Sequence, residues 1–355
     1  MITESGHSVL SKDTKRPEVL IFPGIAESAS SGKQGVSDNV RREAPGKGRT
    51  AMTRRGWVLF GALSVIWGIP YLLIKIAVAD VDPLVVAFGR TLIAAVLLVP
   101  LALHRRAMLP VFRRWKVLLL YTVVEISGPW FFLGHAETRL NSSTAGLLIA
   151  VVPLIAAVIL TAMGQDRLDA RRIVGLMIGF AGVACLVGLD IQFDDLVAVG
   201  AVMLTAIGYA IGPIIINRKL ADLPSLGVVT ASLIVATVLY APFSVWLWPA
   251  TITAPAAWSI VGLAVVCTAI AFLVFFALIA ESGPARATVI TYINPAVAIT
   301  LGVLLLDEPF TKGMAIGFPL VILGSILATS RTRQAQADPA VSSGTASRGT
   351  SPANE

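Results

Sequence analysis

The chain of 355 residues is 56% hydrophobic and only 14% charged, with a net charge of +7. A soluble domain carries about 25% charged residues, so most of this chain has lipid for its solvent and a soluble enzyme is excluded. The basic balance is that of a membrane protein with Lys/Arg-rich cytoplasmic loops; no motif for nucleic acid accompanies it.

Taken in chain order, residues 1–55 hold ten Lys/Arg and six Asp/Glu. They cannot bury a core, which predicts a disordered tail. The Val19-Leu20-Ile21-Phe22 patch is too short for a signal-peptide core of about 7–15 residues, so the first apolar helix must act as the membrane signal. Ten apolar segments follow, at 56–78, 84–103, 116–135, 142–163, 173–189, 196–217, 226–248, 257–280, 286–306 and 313–330. Each approaches the roughly 20 residues that a membrane span needs. Short turns join them, such as Asp80-Val81-Asp82-Pro83 and Asp307-Glu308-Pro309. Continuous apolar runs argue against a barrel, whose strands alternate over about 10 residues. Residues 331–355 read as a second disordered tail. Cys185 and Cys267 lie inside apolar runs and read as small core residues.

The segments repeat. A shift of 142 carries Pro100 onto Pro242, Pro153 onto Pro295, Gly175 onto Gly317 and Gly182 onto Gly324. Residues 56–190 and 191–330 are thus read as two five-helix copies. Five is odd, so the second copy enters the membrane from the opposite side. The fold class expected is an all-α integral membrane protein with ten transmembrane helices in two inverted repeats, an architecture that places cargo near mid-membrane where the copies meet. The connections after the second, fourth, sixth and eighth segments hold eleven Lys/Arg, the others two (Arg139 and Lys312). By the positive-inside rule both termini face the cytoplasm, in the cell membrane. Trp57, Trp115, Trp246 and Trp248 fall at segment ends as interfacial anchors.

This pattern resembles the drug/metabolite transporter superfamily, EamA type. The resemblance covers about residues 56–330 and rests on Trp67-Gly68 with Lys75, on Asp82-Pro83 with Arg90, on AGLLIAVVPLIAAVIL followed by DRLDARRIVGLMIGFAGV, and on ATVITYINPAVAITLGVLLLDEPFTKGMAIGFPLVILGS. The family usually has a Glu after its fourth and ninth helices; Glu308 matches it, whereas the first copy has Asp166. The resemblance implies transport, commonly export, of small metabolites, amino acids or drugs.

Polar groups inside spans point to the cargo path, because a central charge costs about 2.5–3.5 kcal/mol on insertion scales. Glu125 lies about 9 residues into the third segment, roughly 14 Å deep. Tyr121, Glu125, Phe132 and His135, at spacings of 4, 7 and 3, share one helical face. Arg90 enters from the outer side to a similar depth; it either pairs with Glu125 and locks two helices together, or handles cargo or protons. Trp67, Tyr71 and Lys75 fall on one face of the first segment, where the aromatics are core packing or cargo walls and Lys75 is a site residue or snorkels. Tyr209 and Asn217 hold the corresponding places in the second copy. Pro153 and Pro295 free the carbonyls four residues back and are read as hinges, with Tyr292 and Asn294 beside the second. Under the shift Arg90 meets Ser232, Glu125 meets Cys267 and His135 meets Ala277, so charge recognition is expected to rest on the first copy.

Phosphate loops, metal spacings and nucleophile elbows are absent from the sequence, so neither a cofactor nor a metal is expected. The reading is a secondary transporter, not an enzyme, moving a small-molecule substrate by alternating access. Lipid is its surroundings, protons are a candidate coupling ion, and a homodimer is left open. The alternatives are a lipid-linked or nucleotide-sugar carrier, or a membrane-embedded enzyme.

Overall fold

The computed structural model describes residues 52–165, 169–282 and 288–329, and these contain helices and no strand. Among the described residues nine helices are long and apolar enough to cross a bilayer: α1 (Arg54–Val78), α2 (Pro83–His104), α3 (Trp115–Glu137), α4 (Ser142–Ala162), α5 (Ala170–Asp190), α6 (Phe193–Leu220), α7 (Ser225–Trp246), α8 (Ala254–Ser282) and, last of them, α10 (Lys312–Thr329). Between them, α9 (Ile290–Leu305) is apolar but shorter. It opens as a 3-10 turn, Thr288–Tyr292, and becomes α-helical only from Asn294, with Pro295 in its first turn. The expected tails lie outside the described residues except for residues 52–55, as do Asp166 and Arg286.

Local chemistry sets the helix starts. Thr53 accepts from Gly56 N–H (3.0 Å) and Asp82 from Leu84 N–H (2.8 Å). Asp169 caps α5 through Arg172 N–H at 2.9 Å. Proline occupies the first turn after Asp82 and after Thr253, where its missing N–H costs nothing.

Several spans are interrupted. α1 breaks at Trp67–Gly68 and α4 at Ala150–Val151; α3, α6 and α8 contain π-helical turns at Thr122–Ser127, Ile216–Leu220 and Val265–Ile270. In lipid a freed carbonyl must find a partner within the protein, and here side chains supply it. Tyr240 Oη–H donates to Ser127 O (2.5 Å), Ser325 Oγ–H to Ala150 O (3.4 Å) and Thr268 Oγ1–H to Leu263 O (2.8 Å). The Asn294 amide, turned with its nitrogen inward, donates to Ser64 O at 3.1 Å.

The helices pack in antiparallel pairs: α1 with α8, α3 with α6, α2 with α7, α4 with α9 and α5 with α10. Register follows from particular contacts. Thr53 donates to Glu281 at one end of the α1–α8 pair and Thr253 to Asp80 at the other. Along α5 and α10, Gly182 lies against Gly317 and Gly175 against Gly324, so close that a Cβ at Gly182 would sit 2.8 Å from Val321 N. Apolar helices gain nothing hydrophobic by leaving lipid for each other, so such backbone approach is what holds them. Large apolar side chains face outward, among them Trp246 and Phe193, as a bilayer-embedded surface requires.

Candidate functional site

Arg90 is a buried cation within the second span, only 7% exposed. Its Nε–H donates to Thr268 Oγ1 at 2.9 Å, and its guanidinium carbon stands 3.6 Å over the Trp130 ring. The π-turn of α8 aims Thr268 inward, since its hydroxyl proton is taken by Leu263 O and its oxygen is left to accept from Arg90. Desolvated cation–π contacts are worth about 2 kcal/mol. Of the five N–H donors of a guanidinium, only Nε–H is engaged among the described residues. The expected pairing with Glu125 is not made: no ion pair joins the two. Arg90 points across to α8 and the Trp130 face, whereas Glu125 turns toward α6.

Glu125 sits in the π-turn of α3. A Cβ on Gly212 of α6 would overlap its carboxylate, so glycine is what leaves room for it. Its Oε2 is enclosed and has no hydrogen-bond partner among the described residues, and the same holds for the hydroxyls of Thr122, Ser127 and Ser232. Buried polar atoms are normally satisfied; three orphans within one π-turn, with a fourth on α7, mark a polar interior. Tyr209 lies within electrostatic reach of both Arg90 and Glu125, and Tyr71 and Tyr240 within reach of Arg90.

His135 is a correction. The structure turns it outward, exposed and stacked 6.0 Å from Phe131. The expected stripe assumed 3.6 residues per turn throughout. The π-turn inserts one extra residue (Gly128 N–H reaches back to Val123 O), which rotates everything beyond it by about 100°. Trp130, Leu133 and Glu137 therefore take the buried face.

Trp67 packs against Phe275 (4.9 Å) and edge-on to Phe272 (6.3 Å), which makes it part of the α1–α8 contact. Tyr71 is buried in the core beside Ala298, its ring against Gly146. Asn217 stands in the π-turn of α6, next to the end where Arg114 binds Lys219 O and Asp222, and is not brought to Arg90. Tyr292 Oη hydrogen-bonds Thr329 Oγ1 at 2.8 Å, tying α9 to α10, and Asn294 braces the break in α1. Pro153 and Pro295 each occupy the first turn of a new helical piece, Val152–Ala162 and Asn294–Leu305. Lys75 Nζ caps the end of α3, donating to Glu137 O and Leu140 O at 2.8 Å each.

Trp130, Thr268, Tyr240 and Glu137 escaped the sequence reading. Thr268 follows Cys267, the counterpart of Glu125 in the repeat, and Pro129 within an apolar run was the available sign of an irregular α3.

The profile of the EamA-like transporter family matches residues 55–188 and again 196–330. Transporter YvbV of Bacillus subtilis is 27% identical over 82% of this chain and 95% of its own length. The inner membrane transporter YedA of Escherichia coli K12 is 28% identical over 76% of this chain and 90% of its own. A solved crystal structure superposes with a TM-score of 0.58 at 20% identity, covering 77% of this chain and 96% of that one. Two profile matches that together span the helical bundle, and relatives aligned along almost their whole lengths, make this chain a multi-pass membrane protein that belongs to the EamA-like transporter family.

Proposed function

We propose that the chain is a secondary transporter for a small zwitterion of the amino-acid type, exported by alternating access between two inverted repeats. The observation that carries this reading is Arg90: a buried cation whose terminal nitrogens have no counter-ion among the described residues, held over Trp130 between the two halves. A cargo carboxylate supplies the missing anion through a bidentate bond, the geometry a guanidinium favours. Glu125, whose Oε2 also lacks a partner, takes the cargo ammonium. Tyr71, Tyr209 and Trp130 form the aromatic surround.

The packing supports the repeat reading. Exchanging each helix with the one five further on turns α1–α8 into α6–α3, and leaves α2–α7, α4–α9 and α5–α10 as they are. That is the pattern of an approximate two-fold axis. The rocking elements are the two bundles, with Pro153 and Pro295 at the breaks. The count is then ten spans, α9 being the short one, and both termini are cytoplasmic. A nucleotide-sugar carrier would need several cations for its phosphates, and Lys75 is occupied by backbone carbonyls.

The test is efflux from cells overexpressing the protein and preloaded with a panel of amino acids, their deaminated acids and their decarboxylated amines. Export of one zwitterion, lost in Arg90→Gln, is the expected result. Export confined to amines or to neutral compounds, unaffected by Arg90→Gln, overturns it.

A further inference from the structure

A second ionisable cluster lies at the opposite end of α3 from Arg114. Glu137 closes the helix and is completely buried, and neither of its carboxylate oxygens has a hydrogen-bond partner among the described residues. Ser142 Oγ, at the start of α4, is a third buried and unpartnered oxygen. Glu308, from the turn between α9 and α10, is 8% exposed and in a different situation. It accepts from Ser142 N–H (2.8 Å), Ser143 N–H (2.9 Å) and Ser143 Oγ–H (2.5 Å), which makes it the cap of α4. Left-handed Asp307 (φ 51°) reverses the chain so that Glu308 N–H returns to Gly302 O at 3.1 Å. A Cβ on Gly302 would overlap Glu308 Oε2 and Ser143 Oγ, so this glycine keeps the space in which the oxygens converge.

The two carboxyl groups are within electrostatic reach of each other. Glu308 is surrounded by donors, two backbone N–H groups at a helix start and a hydroxyl. Neither Glu137 oxygen has a hydrogen-bond partner at bonding distance among the described residues, although the Lys75 backbone and ammonium lie within its electrostatic reach. Lys75, the nearby cation from α1, spends its bonds on the carbonyls of Glu137 and Leu140. The other titratable groups within reach are the phenols of Tyr71 and Tyr209; His135 and Arg139, on the end of α3 itself, are exposed. A charge on Glu137 is costly first because the site is dry and then because Glu308 is near, and the Lys75 ammonium offsets part of that cost. A proton on Glu137 removes the charge and gives it a donor to share with Ser142 or Glu308.

We propose that Glu137 and Glu308 form a proton-exchange site at the junction of α3, α4 and α9, separate from the Arg90 cluster, with the proton carried on Glu137 while Glu308 caps α4. The site joins the end of α3 in the first repeat to the α9–α10 turn of the second. Relative movement of the bundles opens it, and the proton leaves to water as Glu137 becomes a solvated carboxylate.

The experiment reads the bound proton and not transport, so its failure is distinct from failure of the cargo reading. The full chain in neutral phosphatidylcholine vesicles is titrated with pH and followed by infrared difference spectroscopy at the carbonyl stretch of protonated carboxyl groups. A band present in the wild type, lost in Glu137→Gln and moved in frequency and titration midpoint by Glu308→Gln, is the expected result. Glu281→Gln, at the other end of the bundle, leaves it in place. Should Glu137→Gln not fold, the response to Glu308→Gln decides. A band indifferent to both substitutions overturns the proposal. So does one that disappears at constant pH when choline chloride is replaced by sodium chloride, since that marks a metal-cation site.

Discussion

Arg90 is held by a hydroxyl and an aromatic face, neither of which carries charge. Both contacts depend on a flat guanidinium: one edge bonds Thr268 and the plane lies over Trp130. Lysine keeps the charge but neither the plane nor the fork, so Arg90→Lys should lower export of the zwitterion at least about tenfold, nearly as far as Arg90→Gln, because a bidentate carboxylate contact is lost with about 1.5–3 kcal/mol. A lysine variant with near wild-type rates would show that charge alone suffices. Glu125→Gln keeps the shape and removes the negative charge. It should cut export of the amino acid by a similar factor while sparing the deaminated acid, which has no ammonium to place; equal losses for both would mean that Glu125 is structural. At the rim, the hydrogen bonds from Arg114 hold the Asp222 carboxyl below the usual carboxylate range. A lowered value means that the pair is intact above the ordinary aspartate pKa of about 3.9 and breaks as pH falls through the lowered one. Both side chains are largely exposed, so Asp222→Asn should leave the melting temperature at pH 7 unchanged, a thermal scan being sufficient to check it.

The helices themselves were legible because length and hydropathy are local properties: every apolar segment from 56–78 to 313–330 has a helix in it. What was not legible is phase. His135 and Phe132 fall on the face of Glu125 in a regular helix, and one extra residue in the Thr122–Ser127 turn moves that face to Trp130 and Glu137. Pro129 contributes to the irregularity by lacking the N–H that would bond Glu125 O, but the sequence does not say whether the chain answers with a kink, a break or a π-turn; Tyr240 and Gly212, on other helices, complete the choice. Glycine contacts are the converse case. Gly182 and Gly324, matched by the 142-residue shift, do not pair with each other but each with a member of the other matched pair, Gly317 and Gly175, as an antiparallel crossing demands. Gly324→Leu drives a side chain into the backbone of α5 at Gly179 and Gly175. Overpacking costs typically 1–3 kcal/mol, and with backbone as the obstacle the upper end is expected. Detergent-solubilised protein should melt several degrees lower, whereas Gly188→Leu, at an open position on the same pair, should melt as wild type. Equal behaviour of the two variants would remove the glycine seam as the reason α5 and α10 stay together.

At the scale of the whole molecule, duplication and asymmetry have different physical origins. The scaffold repeats because each five-helix copy leaves faces that only the other copy fills: α1 needs α8 as α3 needs α6. The polar interior does not repeat, since Arg90 faces Thr268 and not a second arginine, and Ser232, which takes the place of Arg90 in the other copy, is a buried hydroxyl without a partner among the described residues. One charge of each sign is enough for one small cargo, and a second pair would add insertion cost at mid-membrane. The proposed inversion makes a prediction about sidedness. The connection between α2 and α3 carries Arg105, Arg106, Arg113 and Arg114, whereas its equivalent between α7 and α8 has no basic residue. If the copies are inverted, Arg113 and Ala250 occupy equivalent turns on opposite faces of the membrane. In a background of Cys185→Ala and Cys267→Ala, Ala250→Cys should react with a membrane-impermeant maleimide added to intact cells. Arg113→Cys should react only after the cells are opened or in inside-out vesicles. Labelling of both positions from the same side would end the inverted-repeat reading, and with it the placement of cargo between the halves; opposite but exchanged labelling would keep the repeat and reverse the orientation, putting Glu137 and Glu308 toward the cytoplasm.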